Sequence, residues 1–346
     1  MKRVGNLFER TFTREALYRG YLDARKAKRR KRACFQFERR IGAQIDALYR
    51  ELHSGSYRSR PYYTFVVHER KSRLIHAPAF RDCVVQHAIY RVVYPIFDRT
   101  FIDQSYACRI GKGTHKAADY AQRALRAAPP GSYTLKLDLR KFFYRIDRAI
   151  LRQLIERKIK DSRLVDVMML FADHGEPAGI PIGNLLSQLY ALVYLNPLDH
   201  FVKRELGVRY YCRYVDDFVL FGLSREQAID CRARIEAFLR ERLGMTFSKV
   251  TLAPVARGVN FVGYRTWASR RFIRKHALFA ARQAIDAGQR ESLISSLGHA
   301  RYTHSLQHLL TLTRTRHHAL YHSLPHHLRC LHHLPPNGAG RRPALH

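Results

Sequence analysis

Acidic side chains are scarce in this chain. Its 346 residues hold 28 Asp and Glu against 62 Lys and Arg, a formal net charge of +34. A solvated surface does not need that excess, so the composition points to a polyanionic partner. Nucleic acid fits better than a membrane surface, because the basic residues run the length of the chain among its 20 Tyr and 19 Phe. Cysteine is thin as well. Its six residues form no C-x-x-C pair, which argues against a zinc module or a disulfide framework and leaves reduced thiols in a cytoplasmic setting. No uncharged apolar run is long enough to span a bilayer. The N-terminal stretch "MKRVGNLFERTFTREALYRG" lacks the apolar segment of a secretory signal. There is no internal repeat, and tryptophan occurs once.

What is present reads as alternating strands and helices. Residues 1–60 are mostly helical around the basic run "RKAKRRKR", whose Arg29, Arg30, Lys31 and Arg32 are candidate contacts for a nucleic-acid backbone. "YYTFVVHERKSRLIHAPAF" reads as two strands about a polar turn. Residues 83–97 space apolar pairs as a helix does, ending near Pro95, and 115–128 form another helix stopped by "PPG". Alternation at Leu135, Leu137 and Leu139 marks a strand. Residues 148–172 read as helical, 175–183 as a loop, 184–206 as one long buried helix, and 224–243 as a further helix. Short strands follow, then helices from about 276, then a disordered tail after Pro335. This order implies an α+β fold with an antiparallel sheet.

The informative stretch is "RYYCRYVDDFVLFG". Asp216 and Asp217 stand together inside a strongly apolar hairpin, where adjacent carboxylates repel and lose hydration. Asp138 is a third acid in an apolar strand. Three such acids at neighbouring strand ends are tolerable beside a divalent cation. Hard oxygen donors of this number suit Mg2+ in phosphate chemistry, and two such ions serve nucleotidyl transfer.

With these residues in place, the chain resembles the reverse transcriptases. "RLIHAP" and "YACRIGKGTHKA" are similar to the family's fingers motifs, "LKLDLRKFFYRID" to motif A, "GIPIGNLLSQLYALVYLNPLD" to motif B, "YVDD" to motif C, "MTFSKV" to motif D and "NFVGYR" to the primer grip. The resemblance implies a right-hand polymerase. A basic helical extension covers 1–61, fingers 62–137, palm 138–265 with an insertion near 148–180, and a helical thumb 266–335, with 336–346 disordered. It assigns Asp138, Asp216, Asp217 and the Leu139 carbonyl to two Mg2+ ions. It gives Arg73, with Lys71 or Arg70 as a second basic contact, to the triphosphate, Phe143 (with Phe142 as a rival register) to exclusion of a 2′-hydroxyl, Lys249 to protonation of pyrophosphate, and Gly263 and Tyr264 to the primer.

Motif B departs from the intron-type Q-G-x-x-x-S-P pattern, with Ile182 in place of the glutamine and Gln188 in place of the proline. That pair resembles the reverse transcriptases of diversity-generating retroelements. The resemblance implies error-prone copying at adenines of a template-repeat RNA into cDNA, for mutagenic retrohoming, with Ile182 and Arg73 bearing on fidelity and Gln188 near the nucleotide. It also implies a small basic accessory variability protein, a pentameric barrel, as partner. The rival readings are a group II intron, retron or CRISPR-linked reverse transcriptase, and a non-catalytic RNA-binding protein on the same fold. The histidines crowded after residue 303 read as a basic thumb without a supporting Cys or acid.

Overall fold

The computed structural model describes residues 3–68 and 72–331. Its strands are β1 (Tyr63–His68), β2 (Ser72–Ala77), β3 (Tyr133–Leu139), β4 (Tyr210–Tyr214), β5 (Asp217–Leu223), β6 (Phe247–Pro254), β7 (Val259–Phe261), β8 (Tyr264–Thr266) and β9 (Arg271–Ile273). The chain divides into two compact units. The first comprises Met1–Arg109, Leu137–Val208 and Asp230–Val250, the second Ile110–Lys136, Arg209–Ile229 and Thr251–His346.

The first unit is mainly helical. Thr13 accepts from the Ala16 N–H and so starts the helix Arg14–Ala24. That helix lies close against Phe80–Asp98. A Cβ on Gly20 would come 2.6 Å from the Val84 carbonyl oxygen, so only glycine permits the approach. Phe80–Asp98 buries Val84, Val85, Ala88, Ile89, Val93 and Phe97, the face its apolar spacing predicts. It does not end at Pro95, as the sequence suggests. Pro95 lies inside the helix. Both Pro95 and Arg91 are exposed, so the Arg91 carbonyl deprived of its partner meets water instead.

Two other expected helices are broken. Residues 148–172 form Arg148–Glu156 and Ser162–Leu170. The break falls at Asp161, whose carboxylate accepts from the Leu7, Phe8 and Leu164 N–H groups, serving two helix starts at once. The long buried helix runs Leu185–His200 and then widens to a π turn over Phe201–Glu205. The change follows Pro197, whose missing N–H already opens the hydrogen-bond ladder. β1 and β2 pair antiparallel, with Phe65 opposite Ile75. They are largely exposed on both faces. Arg70 and Lys71, which fall between the two strands in sequence, lie outside the described residues.

In the second unit β4 and β5 form the acidic hairpin, and the sheet order is β4-β5-β3-β6. Along β3 the alternation holds: Leu135, Leu137 and Leu139 are buried, while Lys136 and Asp138 are half-buried. β7-β8-β9 make a separate antiparallel sheet. It packs with the helices Lys275–Asp286, Arg290–Ala300 and Ser305–Arg316 around Tyr264, Ile273, Ile285, Leu293, Leu297, Leu309 and Leu310. Among the described residues no helix is long and apolar enough to cross a membrane. The expected disordered tail lies outside them.

Candidate active site

The hairpin is built to hold its acids at the tip. Tyr214 pairs with Asp217, which leaves Val215 and Asp216 as a two-residue turn. Tyr211, Cys212, Phe218, Val219 and Leu220 are fully buried and fix both arms. Burial also pushes the Cys212 thiol well above its ordinary pKa, so it stays neutral. Val215 sits at φ 57°, left-handed backbone that a β-branched residue rarely adopts. Arg213 stabilises this tip. Its side chain is among the largest fully buried ones, and its Nη1 donates to the Val215 carbonyl at 3.0 Å.

Asp217 accepts from Lys136 Nζ at 2.8 Å, and Lys136 also donates to the Asn260 carbonyl at 2.7 Å. Their side chains are 19% and 22% exposed, so water screens the pair only in part. Lys136 thus joins the acidic hairpin to β7. On β3, Asp138 is half-buried, and its carboxylate accepts from the Ser248 hydroxyl.

After Asp138 the chain turns sharply at Lys141, another left-handed residue at φ 47°, into the short helix Phe142–Arg145. Phe142 is buried and Phe143 half-buried, the two rings meeting edge to face with centroids 5.4 Å apart. The loop "GEPAGIPIG" packs here. The Gly179 N–H donates to the Ile146 carbonyl at 3.0 Å and the Ile180 N–H to the Phe143 carbonyl at 2.9 Å. At the loop's other end the His76 N–H of β2 donates to the Ile182 carbonyl at 2.7 Å. Asn184 then caps Leu185–His200 by accepting from the Ser187 N–H, and Gln86 Oε1 accepts from the Leu185 and Leu186 N–H groups. Ile182 is half-buried, and Gln188 is exposed on the first turn of that helix.

Arg73 is exposed on β2 opposite Val67; Lys71 lies outside the described residues. Lys249 is exposed on β6. Arg29, Arg30, Lys31 and Arg32 are all exposed, at the junction of Arg14–Ala24 and Arg32–Glu38. Val262 and Gly263 form the β7–β8 turn, at φ 42° and 89°. The Tyr264 side chain is buried and donates its hydroxyl to the His299 carbonyl at 3.1 Å. Burial pushes its phenol up to about 12. What the turn offers a ligand is therefore backbone rather than the Tyr264 ring.

Among the described residues no three His, Cys, Asp or Glu side chains converge as a preformed metal site. The expectation that no cysteine joins the late histidines is corrected: Cys330 Sγ lies 3.5 Å from His326, one helical turn away. His332 and His333 lie outside the described residues. Sequence reasoning also missed Lys136, Arg213, Ser248 and Gly179. Lys136 was legible, because a period of two puts it on the same face of β3 as Asp138. Buried arginine carries no such signal.

The model of the reverse transcriptase (RNA-dependent DNA polymerase) family matches residues 67–266. The chain is similar to the protein YkfC of Escherichia coli K12, 25% identical over 275 residues, covering 65% of this chain and 72% of YkfC. It is also similar to the group II intron-encoded protein LtrA of Lactococcus lactis, 28% identical over 171 residues, covering 46% of this chain but only 28% of LtrA. Among solved structures, telomerase of Candida albicans aligns over 77% of this chain and 55% of its own, at 13% identity and a TM-score of 0.49. Apo telomerase of Candida tropicalis aligns over 76% and 57%, at 13% identity and a TM-score of 0.48. The chain thus spans little more than half of either telomerase chain. A match over residues 67–266, with Asp138 and the Asp216–Asp217 hairpin inside it, settles the family: this chain, with its α+β fold, belongs to the reverse transcriptase (RNA-dependent DNA polymerase) family.

Proposed function

We propose that the chain copies a template-repeat RNA into cDNA by nucleotidyl transfer, and does so with errors concentrated at template adenines. The observation that carries the polymerase chemistry is the hairpin tip: two carboxylates on a strained, tethered turn, one already balanced by an ammonium group at 2.8 Å. Asp138, Asp216 and Asp217 act as one set, with the Leu139 carbonyl completing it. This donor chemistry fits Mg2+, which binds through a few carboxylates and keeps its remaining positions for water and phosphate rather than requiring a preformed cage. Two Mg2+ ions held there would supply the positive charge that activates the primer hydroxyl and offsets the leaving pyrophosphate.

The other roles fall to the chain's own groups. The Arg73 guanidinium, with Lys71, holds the triphosphate. Phe143 fills the space of a 2′-hydroxyl, and the burial of Phe142 supports Phe143 as the ring that meets the sugar. Lys249 gives its proton to the departing phosphate oxygen. The turn at Gly263 and Tyr264 bears on the primer backbone. Gln188 lies beside the incoming nucleotide. Arg29, Arg30, Lys31 and Arg32 hold nucleic-acid phosphates. The fingers, palm and thumb take the boundaries given above. Asp216→Ala should lower Mg2+-dependent primer extension on RNA about a thousandfold, roughly 4 kcal/mol, with template affinity retained. Undiminished synthesis would overturn the assignment.

The adenine errors rest on Ile182 and Gln188. An apolar side chain at 182 offers the nascent pair no hydrogen bond, and one lost contact of about 1.4 kcal/mol is a factor of ten in discrimination. A basic accessory variability protein is the proposed partner, and the cytoplasm the proposed compartment. Sequencing cDNA from a defined RNA, with and without that protein, tests the reading. Errors even over all four bases in both conditions would reject it. The similarity to LtrA would then favour an intron-type enzyme.

A further inference from the structure

The loop of residues 175–183 contains two glycines with the same φ and different surroundings. Gly175 and Gly179 both have φ 86°. A Cβ added at Gly175 would meet nothing within 4 Å. A Cβ at Gly179 would come 2.8 Å from the Phe143 carbonyl oxygen, the Tyr144 Cα and the Tyr144 carbonyl oxygen. Those contacts are backbone, which has no flexible end to swing aside. Gly179 and Ile180 also donate their N–H groups to Ile146 and Phe143, at 3.0 and 2.9 Å. The turn that presents Phe143 is therefore held from one side by two hydrogen bonds and a close approach only glycine allows.

The same loop is fixed at its far end. A Cβ on Gly183, at φ 119°, would stand 2.7 Å from Ile75 Cγ2 on β2, and the His76 N–H already holds the Ile182 carbonyl. Five residues thus connect the backbone beneath Phe143 to the strand that carries Arg73.

We propose that Gly179 is a positioning residue for sugar selection: it sets the height of Phe143 through the backbone of residues 143–146. The inference rests on the reading of Phe143 as the sugar-excluding ring. It goes further in assigning the discrimination to a glycine that acts through the backbone of another residue.

The matched pair supplies the test. Gly179→Ala and Gly175→Ala carry the same left-handed strain, and only the first adds a clash. Full-length variants are assayed for primer extension on RNA with dNTPs and NTPs. Gly179→Ala should lose about tenfold in dNTP-over-NTP selectivity relative to Gly175→Ala, with the change in KM for dNTP exceeding that in kcat. Added to Phe143→Ala, it should lower selectivity no further. Equal selectivity in the two alanine variants, or additive losses in the double variant, would overturn the proposal. If Phe143→Ala itself leaves selectivity unchanged, the reading of Phe143 fails and the inference falls with it. If Phe143→Ala opens the site while Gly179→Ala matches Gly175→Ala, the inference alone fails. Should Gly179→Ala show no cooperative melt, Ile180→Pro removes the N–H given to Phe143 without adding a Cβ at 179. It should show the same selectivity loss, and wild-type selectivity there would overturn the proposal.

Discussion

At the tip of the acidic hairpin, replacing Val215 should reverse the usual ranking of alanine and glycine. In extended backbone, glycine is worse than alanine by roughly 0.5–1 kcal/mol because it loses more freedom on folding. Val215 is not extended; it sits at φ 57°. There a side chain costs about 1–2 kcal/mol that glycine avoids. Val215→Ala and Val215→Gly remove much the same half-buried methyl groups, so that loss nearly cancels between them. The balance leaves Val215→Gly more stable than Val215→Ala by about 1 kcal/mol. In parallel thermal melts of a chain of 346 residues that is a gap of roughly 1–2 °C. Activity should rank the other way. Glycine widens the conformations open to Asp216, so primer extension by Val215→Gly should fall about tenfold, roughly 1.4 kcal/mol of lost preorganisation. Val215→Ala, held in the same narrow well, should keep more activity. If Val215→Ala melts above Val215→Gly, the tip is not left-handed in solution and the reasoning fails.

Lys136→Met should destabilise the fold by about 1–3 kcal/mol, since it leaves Asp217 without the ammonium at 2.8 Å in a site screened only in part. Millimolar Mg2+ should recover part of that loss, because a cation bound only by the folded state stabilises it; melting that is indifferent to Mg2+ would count against Asp217 as a ligand. Affinity for RNA should fall steeply with salt, each neutralised phosphate adding about −0.7 to a log–log plot for single strands. Replacing Arg29, Arg30, Lys31 and Arg32 together with Ala should flatten the slope by nearly 3, and an unchanged slope would remove that basic run from the interface.

What the sequence made legible was periodic or chemically conspicuous. The alternation of Leu135, Leu137 and Leu139 gave β3 and its buried face, and "YVDD" gave the hairpin, because adjacent acids in an apolar run need a reason. What it hid depends on partners distant in the chain. Pro95 passes inside a helix because its side of the helix faces water, which residue spacing does not report. Asp161 splits a helical stretch by serving N–H groups more than 150 residues away as well as its own neighbour. Tyr264 reads, with Gly263, as part of a turn against the primer, and its ring belongs to the core around Leu293 and Leu297. Cys330 meets His326 only because both lie on the short helix His326–Cys330.

The backbone itself argues for where function lies. Among the described residues six non-glycine positions have positive φ: Asn6, Ala27, Cys108, Lys141, Val215 and Val262. The last three occupy the turn after Asp138, the tip bearing Asp216 and the turn proposed for the primer. Such strain, of order 1–3 kcal/mol each, persists only where the surroundings over-determine it. Here the over-determination is visible. Arg213 holds the Val215 carbonyl, Val262 packs against the core of the second unit, and the Lys141 carbonyl accepts from the Tyr144 N–H. Two of the three are β-branched, and a branched side chain forced into this well has few neighbouring wells to visit. Glycine would form these turns more cheaply and hold them less firmly. A chain that spends stability at these three turns, and fixes each by a separate contact, is selecting for the position of what the turns carry.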